Sequence, residues 1–209
     1  MTTPPKRADV VVVGGGAVGT SITFHLAEAG VEVCLLERDA LSSGSTSRAA
    51  GGVRTQFSDP LNIAIGLRAV EAFGSFRERP GGEIDFKQVG YLFLLDREED
   101  VSIFEQSVAL QNELGVPSRM VDVEEAGRLS PLAGLDGVLA ATFCPIDGHA
   151  SPEAVAQGYA AGARAHGATV VTGCAALLHA RGAVSVGGAD SAGYLAQAQR
   201  WRDGTLHVP

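Results

Sequence analysis

Asp9-Val10-Val11-Val12-Val13-Gly14-Gly15-Gly16-Ala17-Val18-Gly19 is a β-branched run that stops on glycine and opens into small and apolar residues. Four successive valines predict a central parallel strand buried on both faces. Ala17, Ile22, Leu26 and Ala29 recur at helical spacing, and Gly30 is placed to end that helix. Val31 to Leu36 predicts a second strand, which finishes in Glu37-Arg38. Gly14, Gly16 and Gly19 satisfy G-x-G-x-x-G, and Glu37 follows Gly19 by 18 residues. Each part has a physical reason. Gly14 permits a tight strand-to-helix turn, Gly16 lets backbone approach a pyrophosphate at the helix N-terminus, and Gly19 lets helix and sheet pack closely. Glu37 is positioned to accept hydrogen bonds from ribose hydroxyls, and its charge would repel a 2′-phosphate. The first forty residues therefore read as a dinucleotide-binding βαβ unit.

Outward from this unit, Ser42 to Gly52 is a run of small residues whose composition predicts a flexible loop. It would let an extended cofactor pass along bare backbone, with hydroxyls available to a pyrophosphate; a solvated surface linker would have the same composition. Pro60 to Phe76 returns to helical spacing, with Leu61, Ile65, Val70 and Phe73 available for one face, until Pro80-Gly81-Gly82 breaks it. Gln88 to Leu95 predicts a strand and Val101 to Leu114 a helix. Pro152 to His166 predicts another helix, with Ser151 as cap and Pro152 at its first position. Ala168 to Thr172 predicts a strand. From His179 to Pro209 no apolar periodicity is sustained, and the only tryptophan, Trp201, lies among Arg200, Arg202 and Asp203.

Composition bounds the partners. The 209 residues are 45% hydrophobic and 19% charged, which suits one large globular domain or two small ones. Acidic residues outnumber basic ones 24 to 16 with no long run of like charge, which argues against a nucleic-acid partner. No apolar run approaches membrane-helix length, and the first apolar run is too short for a signal segment, so no membrane partner and a cytoplasmic location are expected. Cys34, Cys144 and Cys174 are far apart, show no metal-ligand spacing and read as reduced thiols; no metal is expected.

Asp9 to Phe76, especially GGGAVG, LLER, GSTSRAAGGVRTQF and the helix after Asp59-Pro60, resembles the N-terminal part of the D-amino-acid oxidase superfamily. The sarcosine oxidase, dimethylglycine dehydrogenase and proline dehydrogenase β-subunit branch is the most similar. Gln88-Val89-Gly90-Tyr91-Leu92 and Asp147-Gly148-His149-Ala150-Ser151-Pro152 extend the likeness to about Cys174. The resemblance implies an α/β, Rossmann-like FAD-binding domain of glutathione-reductase type, interleaved with a partial α+β substrate domain. Residues 1–80 and 151–178 would belong to the first and 81–150 to the second, leaving 179–209 as an unrelated, disordered tail.

FAD is the implied cofactor. The resemblance assigns its binding to Gly14, Gly15, Gly16, Ala17, Val18, Gly19, Glu37, Arg38, Ser45, Thr46, Ser47, Gly51 and Gly52. Arg54 matches an arginine on the substrate side of the flavin, where a guanidinium would orient a substrate carboxylate. An arginine entering the next helix and paired with Asp59 or another acid is the alternative. His149, just before a helix cap, and His25, on the first helix, read as structural rather than as bases. The implied activity is oxidation of a small amine or amino acid.

Family members are considerably longer, so a truncation or frame change near Ala175 to Arg181 is expected. Much of the flavin site would then be missing, and a non-catalytic dinucleotide-binding fragment that needs a partner subunit is the competing expectation. An NAD-binding dehydrogenase domain is a third.

Overall fold

The computed structural model describes residues 4–173; Cys174, the expected frame change and the tail with Trp201 lie outside the described residues. Two compact units emerge: residues 4–49 with 152–173, and Ala50–Ser151. The resemblance implies a boundary near residue 80, whereas the first compact unit ends at Ala49. Residues 50–80 join the second unit because Gly52–Val53 pairs antiparallel with Gly148–His149, and Ile63 is buried with Val116 and Cys144.

In the first unit, β1 (Val10–Val13) leads through the glycine turn into α1 (Ala17–Glu28) and then β2 (Val33–Leu36). The helix ends as its sequence dictates: Gly30 has φ 82°, and Val31 N–H donates to the Leu26 carbonyl. Ser42 to Gly52 is more ordered than its composition suggests. Leu41 and Ser42 are buried, Thr46–Arg48 forms a 3-10 turn, and Gly52–Val53 forms β3 in the second unit.

The parallel sheet of this unit runs β1, β2, then Thr169–Val171, the last strand of the described chain. β2, not β1, is thus the middle strand. Val11 and Val13 are 40% and 52% exposed, against the expectation of burial on both faces. The valine run marks a strand correctly, but β-branching does not tell which strand is covered. One layer of core joins Leu35, Leu41, Ala160 and Val170, with Val12 against it; Cys34 and Val171 occupy the other face.

α1 buries Thr20, Thr23, Phe24 and Ala27 rather than the more apolar set around Ile22, which is 46% exposed. The two threonines satisfy their hydroxyls by donating to the carbonyls of Gly16 and Gly19, four residues back. The helix Pro152–Ala165 faces α1 with Ala156, Tyr159, Ala160 and Ala163 buried, and the Phe24 and Tyr159 rings lie 5.7 Å apart. Small residues on one helix let the aromatic residue of the other fit between them.

In the second unit, β3 is followed by α2 (Pro60–Gly74), which Asp59 caps by accepting from Asn62 N–H at 3.0 Å. α2 buries Ile63 and Gly66, whereas Leu61 and Ile65 are 70% and 56% exposed, so its inward face is offset from the expected one. Then come β4 (Tyr91–Leu95), α3 (Glu98–Glu113), β5 (Arg119–Val121), α4 (Val123–Leu129), β6 (Ala140–Cys144) and β7 (Gly148–His149). The helix Pro152–Ala165 and strand Thr169–Val171 are α5 and β8. An antiparallel sheet has β6 between β4 and β5, with Leu92 opposite Phe143.

The tightest point of the first unit is Gly19. A Cβ there would lie 1.9 Å from the Gly14 carbonyl oxygen, backbone that cannot yield without moving the turn. Gly19→Ala should lower unfolding stability by about 1–3 kcal/mol. A urea titration should show this as a lower midpoint at unchanged slope; an unmoved midpoint would mean that turn and helix do not meet this closely.

Candidate functional site

The N-terminus of α1 is bare. Its capping residue is Gly16, with no side-chain cap, and the first turn holds no acid. A helix start leaves N–H groups without intrahelical acceptors and a partial positive charge. The nearby polar groups come from later in the chain. Thr46 Oγ1 accepts from Ala17 N–H at 3.1 Å, and a Cβ on Gly16 would meet that oxygen at 2.8 Å. Of the three hydroxyls Ser45, Thr46 and Ser47, it is Thr46 that bonds this helix start; Ser47 Oγ donates to the Gly44 carbonyl and is exposed.

Glu37 ties two turns together. One carboxylate oxygen accepts from Gly15 N–H at 2.5 Å, and the other from Asp39 N–H at 2.8 Å. The backbone bonds fix the aim of the carboxylate, a group that accepts from hydroxyls such as those of a ribose. Arg38 turns to Asp39, with Nε donating to Oδ2 at 2.9 Å, half exposed. Ser42, which the sequence did not single out, is held at φ 67° with its N–H on the Gly15 carbonyl. Its buried hydroxyl has no partner among the described residues. The glycine-bounded, acid-free helix start and the pre-aimed carboxylate fit an adenine dinucleotide.

In the second unit, β3 positions Arg54. Gly52 pairs with His149 and Val53 with Gly148, while Gly51, at φ 79°, offers its carbonyl to Ala150 N–H. The partly buried Arg54 guanidinium lies 4.5 Å from the Phe57 ring centroid and 5.3 Å from that of Phe93, a cation–π geometry. It forms no ion pair among the described residues, and Asp59 is engaged with Asn62 instead. Arg54 lines a cavity of ≈ 380 Å³ with Gly52, Phe57, Phe73 and Tyr91.

Behind this wall is a buried polar cluster that the sequence reading missed, although it quoted the Asp147 motif. Asp147, fully buried, accepts from Thr55 N–H at 2.8 Å and from the Thr55 hydroxyl at 2.6 Å. Its second oxygen accepts from Gln56 Nε2 at 3.3 Å, and Thr142 Oγ1 donates to Gln56 Oε1 at 2.9 Å. Burial pushes the Cys144 thiol above its ordinary value; contact with Thr55 opposes this and the Asp147 charge adds to it. The thiol lies 3.4 Å from the Thr55 hydroxyl, whose own proton goes to Asp147. His149 does not line the cavity; its main chain exchanges hydrogen bonds with Lys87. His25 lies on α1 against the Phe24 and Tyr159 rings.

Fold and glycine turn together define an α/β protein of the dinucleotide-binding class. More particularly, the chain belongs to the DAO family of FAD dependent oxidoreductases, which matches residues 9–198, past the residue-179 point where a departure from the family is expected. Mitochondrial dimethylglycine dehydrogenase from Rattus norvegicus is 34% identical over 169 residues, 78% of this chain and 20% of that protein. Glycine oxidase from Bacillus licheniformis is 34% identical over 172 residues, 79% of this chain and 45% of that one. L-proline dehydrogenase from P. horikoshii has a similar structure, with a TM-score of 0.76 at 38% identity over 81% of this chain and 45% of that chain. The chain thus spans less than half the length of each of these relatives.

If Glu37 holds the ribose as well as the turn, Glu37→Gln should weaken FAD binding by about 10-fold, the loss of one charge-assisted hydrogen bond. Equilibrium titration of flavin fluorescence would measure it, and unchanged affinity would remove Glu37 from the site.

Proposed function

We propose that the chain carries the cofactor turn and the substrate-anchoring arginine of an FAD-dependent oxidoreductase acting on the C–N bond of a small secondary amine or amino acid. The sarcosine, dimethylglycine and proline types are the substrates in view. The observation that carries the reading is Arg54: a guanidinium stacked on Phe57, without an acid among the described residues, in a cavity of ≈ 380 Å³.

Gly14 to Gly19, Glu37, Arg38 and Ser45 to Ser47 would hold FAD, with Gly51 and Gly52 approaching the flavin. The chemistry that FAD supplies when bound is acceptance of a hydride equivalent from the carbon beside the amine nitrogen, leaving an imine for water to hydrolyse. The chain's part is to orient that C–H bond. Arg54 would take the substrate carboxylate in a charge-assisted, bidentate contact, strengthened where Phe57 and Phe73 exclude water. Its positive charge also disfavours an ammonium nearby and so favours the neutral amine, the form with an available lone pair. Among the described residues no Asp, Glu, His or Lys lines the cavity, and Tyr91 joins Arg54 as its polar lining.

A second reading, a dinucleotide-binding piece that acts only with a complementary chain, has one observation behind it: Val11, Val13, Val18 and Ile22 stay 40–74% exposed. The flavin spectrum separates the two. Anaerobic addition of N-methylglycine to the FAD-loaded chain should bleach the yellow absorbance. Bound flavin that does not bleach supports the second reading, and a colourless protein that binds NAD would sink both. Within the first reading, Arg54→Met should lower kcat/KM for N-methylglycine by about 10- to 100-fold through KM, the loss of charged hydrogen bonds. A carboxylate-free N-methylamine should lose far less; equal losses for both would refute the anchoring role.

A further inference from the structure

A carboxylate taken wholly out of water is costly unless its lone pairs are filled. Asp147 is such a group: 0% exposed, with three donors on its two oxygens and no cationic side chain paired with it among the described residues. All three donors belong to Thr55 and Gln56, the two residues that follow Arg54. On the other side of Arg54, Val53 is in register with Gly148, the residue after Asp147. One short segment, Asp147 to His149, therefore grips the backbone both before and after the arginine. Gln56 extends the grip by donating to the Tyr91 carbonyl at 2.9 Å, and Tyr91 is itself part of the cavity wall.

We propose that Asp147 is the positioning residue of Arg54: its buried carboxylate fixes Thr55 and Gln56, and so sets the direction in which the guanidinium enters the cavity to meet a carboxylate ligand. This rests on the reading of Arg54 as a carboxylate anchor. The alternative, a purely electrostatic influence, has the opposite sign. Neutralising a negative charge near a cationic site should strengthen anion binding, whereas loosening the clamp should weaken it.

Acetate is a suitable probe, since it has the carboxylate and no oxidisable amine, and calorimetry on the FAD-loaded chain reads its binding without turnover. Asp147→Asn keeps the size, removes the charge and sets an amide N–H₂ against the Gln56 donor. It should weaken acetate binding by about 10-fold, the worth of one charged hydrogen bond, and should leave FAD affinity unchanged. Thr55→Val removes one donor without altering charge or size and should weaken acetate in the same direction by a smaller factor. In the Arg54→Met background neither change should weaken acetate further, because the group being aimed is gone. Hydrogen exchange at the Thr55 amide should speed up in Asp147→Asn. Acetate binding unchanged or tightened in both single variants, with Arg54→Met weakened, would overturn the positioning role alone. An Arg54→Met variant that binds acetate like the parent would overturn the anchor reading and this inference with it.

Discussion

A helix must begin somewhere, and wherever it begins its first N–H groups lack intrahelical acceptors. In most helices a side chain at the cap takes one of them, as Asp59 does for α2 and Asp122 for α4. α1 is built the other way. Gly16 brings no cap of its own, the first turn has no acid, and the one side-chain acceptor is Thr46, 29 residues later. That arrangement costs local stability and is useful only if the bared dipole meets an anion. The rest of the first unit can be read as support for it. Gly19 lets α1 lie against the Gly14 carbonyl, Glu37 fastens Gly15, and the small residues of α5 bring a second helix against the other side of α1.

The second unit solves a comparable problem with the sign reversed. There the exposed-end dipole is replaced by an interior anion, Asp147, whose lone pairs are filled by Thr55 and Gln56 rather than by a cation. The donors are neutral, and accepting from them fixes the positions of Thr55 and Gln56. Thr55 also orders the thiol of Cys144, and Gln56 reaches Thr142 on β6 and the Tyr91 carbonyl on β4. A few hydrogen bonds thereby link the residues just after Arg54 to the antiparallel sheet, and the apolar cluster of Ile63, Val116 and Cys144 lies alongside.

What was legible in the sequence follows from which features are local. The glycine turn, the helix stop at Gly30 and the strand at Val10 to Val13 depend on backbone conformations that residue types dictate nearby, and all of them are present. Which face of each element is covered depends on distant residues. α1 turns Thr20 and Thr23 inward and Ile22 outward because threonine can satisfy its hydroxyl within the helix, so polarity by name misleads. The strand order, with β2 central, was not readable because it is set by β8, more than 130 residues later. Residues 115–150 carry three strands and a helix without a strong periodic signal, and nothing local to Asp147 in that stretch marks its role. Its partners are 91 and 92 residues away.

The contrast among the arginines carries the last step. Arg77, Arg97, Arg119 and Arg128 each lie at the surface beside an acid close in sequence: Glu83, Asp100, Glu125 and Glu124. Such pairs contribute little, because water screens them and long side chains must be held still. Arg54 is more enclosed and has aromatic rings in place of a carboxylate. Ring faces offset part of the desolvation of a guanidinium but leave its in-plane N–H donors unsatisfied. Those donors form a fork, and a fork of that geometry is matched by a carboxylate. An amino-acid substrate of the proposed kind has such a group, so anchoring its carboxylate would also limit where its oxidisable C–H bond can lie. On this view Asp147, the one carboxylate buried among the described residues, holds the backbone beside Arg54 and leaves the guanidinium itself for the ligand.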